Sequence, residues 1–369
     1  MTARNLHIIQ GNVTFAEDEP FKLELGGSLS PVTIRFAVYG EPNAAGDNVV
    51  LICHALSGSA RADEWWPELF APGGVFADNR WCVVSSNILG SRYGSTGPTS
   101  IDPSSGLPYG DNFPIITIGD IVRAQTKVLE QWGIDNLHAV IGGSIGGMQA
   151  LEWALRYPER VERCLAIAAT PLSSLGLALN HLQRRSIEAN PEQGLKYARA
   201  LAMCTYKSSS LFDQRHGRRT NRKGASPWES PDGRFDVAGY LDHQGEIFSR
   251  RFDPKTYNVI SRAMDLWDPA RDHGEDVWER ILAATTLVGI DSDWLFPAAD
   301  VRALSNTLRE HQVDVDYREL HSDHGHDAFL AEPRLVNEIV NEVLGTPVAE
   351  PGVSYAAFAG MEKHNGTIG

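Results

Sequence analysis

The stretch Val140–Leu155, VIGGSIGGMQALEWAL, joins an apolar run to an amphipathic segment through Gly142-Gly143-Ser144-Ile145-Gly146. Glycines at such a junction remove Cβ atoms that would collide in a sharp strand-to-helix turn. One use of that turn is to expose a serine hydroxyl at the edge of a sheet, with a helix N-terminus behind it. An ordinary tight βα turn needs the same small residues, so G-x-S-x-G takes its meaning from the rest of the chain.

On either side of this junction, short apolar, β-branched-rich runs recur at 32–40, 48–56, 80–90, 136–144, 163–170, 281–291 and 314–320. They are continuous rather than strictly alternating, the pattern of strands buried on both faces of a largely parallel sheet. Helical periodicity falls between them at 118–133, 146–158, 298–310 and 332–345. The alternation predicts an α/β fold built on a mostly parallel, doubly wound sheet. It breaks at 171–280, a helix-rich segment that turns polar and basic, and we expect an inserted helical lid there. The core is then 1–170 with 281–345, and the Pro/Gly-rich residues 346–369 form a peripheral tail.

A net charge of −14 over 369 residues argues against nucleic acid or an anionic membrane as the main partner. Cys53, Cys82, Cys164 and Cys204 show neither metal-ligand spacing nor a close pair, and three of them sit in or beside apolar runs. Buried reduced thiols are expected, with no metal site. The segment MTARNLHIIQGN lacks the apolar core of a signal peptide, so the expected location is cytoplasmic.

A serine hydroxyl is a weak nucleophile and needs a base, itself oriented by an acid. In α/β-hydrolase folds the partners follow in the order Ser, Asp/Glu, His, at the ends of later strands. The chain supplies both. LVGIDSDWLFP places Asp291 and Asp293 just past one strand, and HSDHGHDAFL places His321, His324 and His326 just past the next. An oxyanion hole needs two backbone N–H groups. Ile145, after the serine, supplies one, and Leu56 in CHALSGSA is the candidate for the other; His54 in that stretch reads as a structural hydrogen-bonding residue.

CHALSGSA, Trp65-Trp66, NILGSRYGSTGPTS, GGSIGGMQALEWA, TYKSS, SRRFDPKTYNVISRAMDLWD, DSDWLFP and GHDAFL run in order along the chain. Together they resemble the homoserine O-acyltransferases of methionine biosynthesis, a family with the α/β-hydrolase fold. The resemblance implies Ser144 as the acylated nucleophile, His326 as its base and Asp293 as the orienting acid, with Asp291 the close competitor. It also implies that Asp327 binds the amino group of the acceptor amino acid, while Arg199 and Tyr206 receive its carboxylate. Ile145 stands where methionine is usual, and Arg92 where cysteine is frequent. The implied reaction is acyl transfer from acetyl-CoA to L-homoserine through an acyl-serine, with no permanently bound cofactor and a homodimer as the assembly.

Succinyl-CoA as donor, serine as acceptor, and a serine ester hydrolase of the same fold stay open beside that reading. The basic run Arg215, Arg218, Arg219, Arg222, Lys223 reads first as a solvated loop and second as an attractor of CoA phosphates.

Overall fold

The computed structural model describes residues 8–345. The continuous apolar runs form central strands because neither face of the sheet is left to water. In chain order the strands are β1 Ile8–Phe15, β2 Val32–Tyr39, β3 Val49–Cys53, β4 Cys82–Ser86, β5 Ala139–Gly143, β6 Arg163–Ile167, β7 Ala284–Ile290 and β8 Val315–Leu320. Their order across the sheet is β1-β2-β4-β3-β5-β6-β7-β8. Strands β3 to β8 pair in parallel, with Leu51 opposite Val140 and Gly143 opposite Ile167, while β1 and β2 run antiparallel at one side. Every residue of β3, β4 and β5 is buried, which explains why β3 and β5 read as unbroken runs of apolar residues and glycine and why β4 departs from that only at Ser85 and Ser86.

Helices α1 Ile118–Gln131 and α2 Ile145–Arg156 follow β4 and β5. Helix α1 opens on a capping box in which Thr117 and Asp120 satisfy each other's backbone N–H groups. Between β6 and β7 the chain adds α3 Ser174–Ala189, α4 Pro191–Thr205, α5 Ser209–Arg215, α6 Asp236–Arg251 and α7 Pro254–Asp265. Asn190 caps α4 and Asp253 caps α7, each followed by proline at the first helical position. The core closes with α8 Ala298–Glu310, packed on β7 and β8, and α9 Pro333–Leu344. The predicted tail, 346–369, lies outside the described residues.

Two features differ from the sequence reading. β1 is an additional strand, which the alternation of partly exposed residues with Gly11 in IIQGNVTF does not announce. A two-stranded ribbon, Phe21–Lys22 with Ser28–Leu29, is likewise too short to leave a periodic signal.

Candidate active site

Ser144 sits between β5 and α2 with φ 58° and ψ −130°, a conformation that L-residues adopt at a cost of about 1–3 kcal/mol. The neighbouring glycines make the turn possible by close approach. A Cβ on Gly142 would lie 2.1 Å from the Gly146 carbonyl oxygen, and one on Gly146 would lie 2.2 Å from that of Cys53. The N–H groups of a first helical turn have no intrahelical partner, so Ile145 N–H is available to a developing oxyanion. Ser144 itself is 5% exposed.

The candidate acid and base occupy the loops after β7 and β8. His326 Nδ1 donates to Asp293 Oδ2 over 2.7 Å, and both residues are buried. Asp293 Oδ1 accepts from the N–H groups of Leu295 and Phe296, at 2.8 and 3.0 Å, which locks the carboxylate plane. The imidazole stacks on Phe296 and is flanked by the rings of Tyr206 and Phe329. With Nδ1 engaged, Nε2 is the nitrogen left to take a serine proton. The competing Asp291 makes a separate pair with His321 over 3.0 Å, with side chains 37% and 76% exposed, and neither lines the cavity described below.

Several quoted motifs hold this geometry. Trp66 Nε1 donates to the Phe329 carbonyl over 2.7 Å, tying the helix near residue 66 to the histidine loop. A Cβ on Gly143 would lie 2.6 Å from the Phe329 ring. Gly325 has φ 56°, and a Cβ there would meet the backbone of Tyr206 and Lys207 at 2.9 Å. The end of α4 therefore docks directly on the histidine loop, secured by Ser208 N–H donating to the Asp323 carbonyl over 3.0 Å.

His54 holds the loop bearing Leu56. Its Nδ1 donates to the Ala55 carbonyl over 2.7 Å and its Nε2 accepts from Ile88 N–H over 3.1 Å. Those partners require the neutral ring, and burial pushes its pKa down to about 4. The unfolded chain takes up this proton near the ordinary histidine pKa and the folded chain does not. Stability from this residue is thus present above pH 6.5 and lost as pH falls towards 4. Unfolding titrations of wild type and His54→Gln should differ in their acid limb by about 3 kcal/mol over that window. Parallel acid limbs would refute the assignment.

Ser144, His326, Leu56, Arg199, Tyr206 and Asp327 all line one cavity of about 1330 Å³. The Arg199 guanidinium lies 5.5 Å from the Tyr206 ring centre and 5.1 Å from that of Phe248. Burial pushes the Tyr206 phenol up to about 12, so it stays neutral. Asp327 Oδ2 accepts from Lys207 Nζ over 2.8 Å, a partner that sequence reasoning missed although TYKSS contains it. Arg35, Arg61, Tyr93 and Arg251 are further lining residues that had not been singled out. None of the basic run 215–223 lines the cavity. The four cysteines are free, and three are buried. Among the described residues, Asp276, Glu279 and His311 bring ligand atoms close enough to share an ion, but these groups do not line the cavity.

Residues 48–333 match the family model of the α/β-hydrolase fold. The homoserine O-acetyltransferase of Nostoc punctiforme is 44% identical over 344 residues, covering 88% of this chain and 93% of that protein. The homoserine O-succinyltransferase of Halorhodospira halophila is 38% identical over 373 residues, covering 94% and 97%. The crystal structure of homoserine O-acetyltransferase from Bacillus anthracis superposes with a TM-score of 0.84 at 23% identity, covering 93% and 99%, a likeness of fold. With Ser144 and His326 lining one cavity, and relatives this similar along most of its length, the chain belongs to the homoserine O-acyltransferase family of α/β-hydrolase-fold enzymes.

Proposed function

We propose that the enzyme transfers an acetyl group from acetyl-CoA to the hydroxyl of L-homoserine through an acyl-serine. The observation that carries the reading is the single cavity joining Ser144 and His326 to Arg199, Tyr206 and Asp327. His326 Nε2 takes the Ser144 proton as Oγ attacks the thioester carbonyl, and the oxyanion is received by Leu56 N–H and Ile145 N–H. Collapse of the tetrahedral species breaks the C–S bond, and CoA leaves with the proton from His326. The homoserine hydroxyl then gives its proton to His326, attacks the acyl-serine, and leaves as the O-acetyl ester while Ser144 regains a proton.

An amino-acid acceptor brings one anion and one cation. Arg199 complements the carboxylate, and Tyr206, held neutral, can donate beside it without repulsion. Asp327 takes the ammonium through Oδ1, because Lys207 holds Oδ2. The helical segment 171–280 acts as the lid: the end of α4 carries both Arg199 and the contacts to the histidine loop. Excluding water there protects the ester from hydrolysis. The acetyl donor is supported by the 44% identical O-acetyltransferase, the succinyl donor by the 38% identical O-succinyltransferase. A cytoplasmic homodimer completes the reading; free cysteines fit a reducing compartment, and no helix of the described residues is long and apolar enough to cross a membrane.

Thiol release from acetyl-CoA and from succinyl-CoA, each with and without L-homoserine, tests the function. Homoserine-dependent release from acetyl-CoA is the expected result, and equal release without homoserine would make the protein a hydrolase. In Arg199→Ala the KM for homoserine should rise about 100-fold with acylation of Ser144 unchanged, the loss of a charge-assisted pair. An unchanged KM would remove Arg199 from the acceptor site.

A further inference from the structure

We infer that Arg251 and Arg35 form a second anion site at the mouth of the same cavity, which takes the phosphates of the acyl donor; this rests on the proposed CoA-dependent transfer. Within the cavity lining, exposure runs from the buried Ser144 and His326 to the exposed Arg251, Gln10 and Tyr93. The reacting thioester belongs at the buried end. Phosphates carry too much charge to be desolvated there, so they stay where water still reaches.

The mouth is cationic in an otherwise acidic protein. Its three arginines are not equivalent. Arg61 is paired with Asp63 and Glu64, at 2.6 and 3.2 Å, and its charge is already matched. Arg35 donates to the neutral amide oxygen of Gln10 over 3.2 Å. Arg251 donates to the Ser57 carbonyl over 3.0 Å and to the Tyr93 hydroxyl over 3.3 Å. These neutral acceptors orient the two guanidiniums without cancelling their charge. The rings add stiffness: Arg251 lies 5.1 Å from the centre of Phe248, the ring that also carries Arg199. One aromatic side chain thus supports two guanidiniums, Arg199 for the acceptor carboxylate and Arg251 for the donor. The basic run 215–223 is replaced in this role, because none of it reaches the cavity.

The test uses two donors with L-homoserine: acetyl-CoA, and S-acetyl-N-acetylcysteamine, which has the thioester but no phosphate. In Arg251→Gln and Arg35→Gln the KM for acetyl-CoA should rise about tenfold or more, while that for the truncated donor moves less than about twofold. Arg251→Lys should recover part of the loss. Added salt should raise the wild-type KM for acetyl-CoA more steeply than that of Arg251→Gln. Equal losses on both donors would mean that Arg251 merely holds the Ser57 loop, and unchanged kinetics on acetyl-CoA would exclude the site; either overturns the inference. Failure of the parent reading is seen separately, as wild-type thiol release that does not need homoserine.

Discussion

Ser144→Ala should lower homoserine-dependent thiol release by about 10⁵-fold or more, with no acetyl adduct on the protein after a quenched first turnover. The size follows from the proposed mechanism, in which Ser144 and His326 act as a unit. Without Oγ, His326 has no proton to accept, and the remaining catalysis comes from binding and the oxyanion donors alone. Folding should be nearly untouched, because alanine keeps the Cβ and the φ of 58° already imposed on Ser144. Ser144→Gly, equally inactive, should unfold at a higher temperature than Ser144→Ala, since glycine relieves the positive-φ penalty. That pair of melting curves separates backbone strain held at the nucleophile from the chemistry of its hydroxyl. Undiminished transfer in Ser144→Ala would mean that homoserine attacks the thioester directly, and the acyl-serine would have to be abandoned.

The sheet was legible because β3, β4 and β5 are buried on both faces, so their runs carry no charged residue and the only hydroxyls are Ser85 and Ser86 at the end of β4. The edge strand β1 is half exposed and carries Gly11, so its residues do not distinguish it from an extended loop. At the site, the order serine, aspartate, histidine was visible, and the resemblance favoured Asp293 over Asp291. The geometry separates the two carboxylates: Asp291 is partly exposed and pairs with the exposed His321, while Asp293 is enclosed and pairs with His326. Lys207, Arg35 and Arg251 escaped notice for another reason. Each is a cation whose meaning lies in a partner far along the chain, Asp327 for Lys207 and Ser57 for Arg251. Local sequence reads such residues as surface charge.

Asp293→Asn should reduce kcat by about 10⁴-fold, whereas Asp291→Asn should leave it within about twofold. The first effect is one of tautomer, and the local hydrogen bonds dictate its direction. Leu295 and Phe296 both donate to Oδ1, so the introduced amide keeps its carbonyl oxygen there and turns its NH₂ towards His326. An NH₂ facing Nδ1 stabilises the ring with its proton on Nε2, and that nitrogen can no longer accept from Ser144. The backbone donors that hold the carboxylate in the wild type thus enforce the wrong tautomer in the variant, with the fold preserved. Asp291 accepts from His321 and from the Ser322 N–H, neither of which lines the cavity, and its amide has nothing catalytic to misalign. Paired kcat measurements on the two variants, with near-identical circular dichroism, check the assignment. A collapse in Asp291→Asn with Asp293→Asn active would transfer the acid's role to the other strand-end carboxylate and leave His326 without its orienting partner.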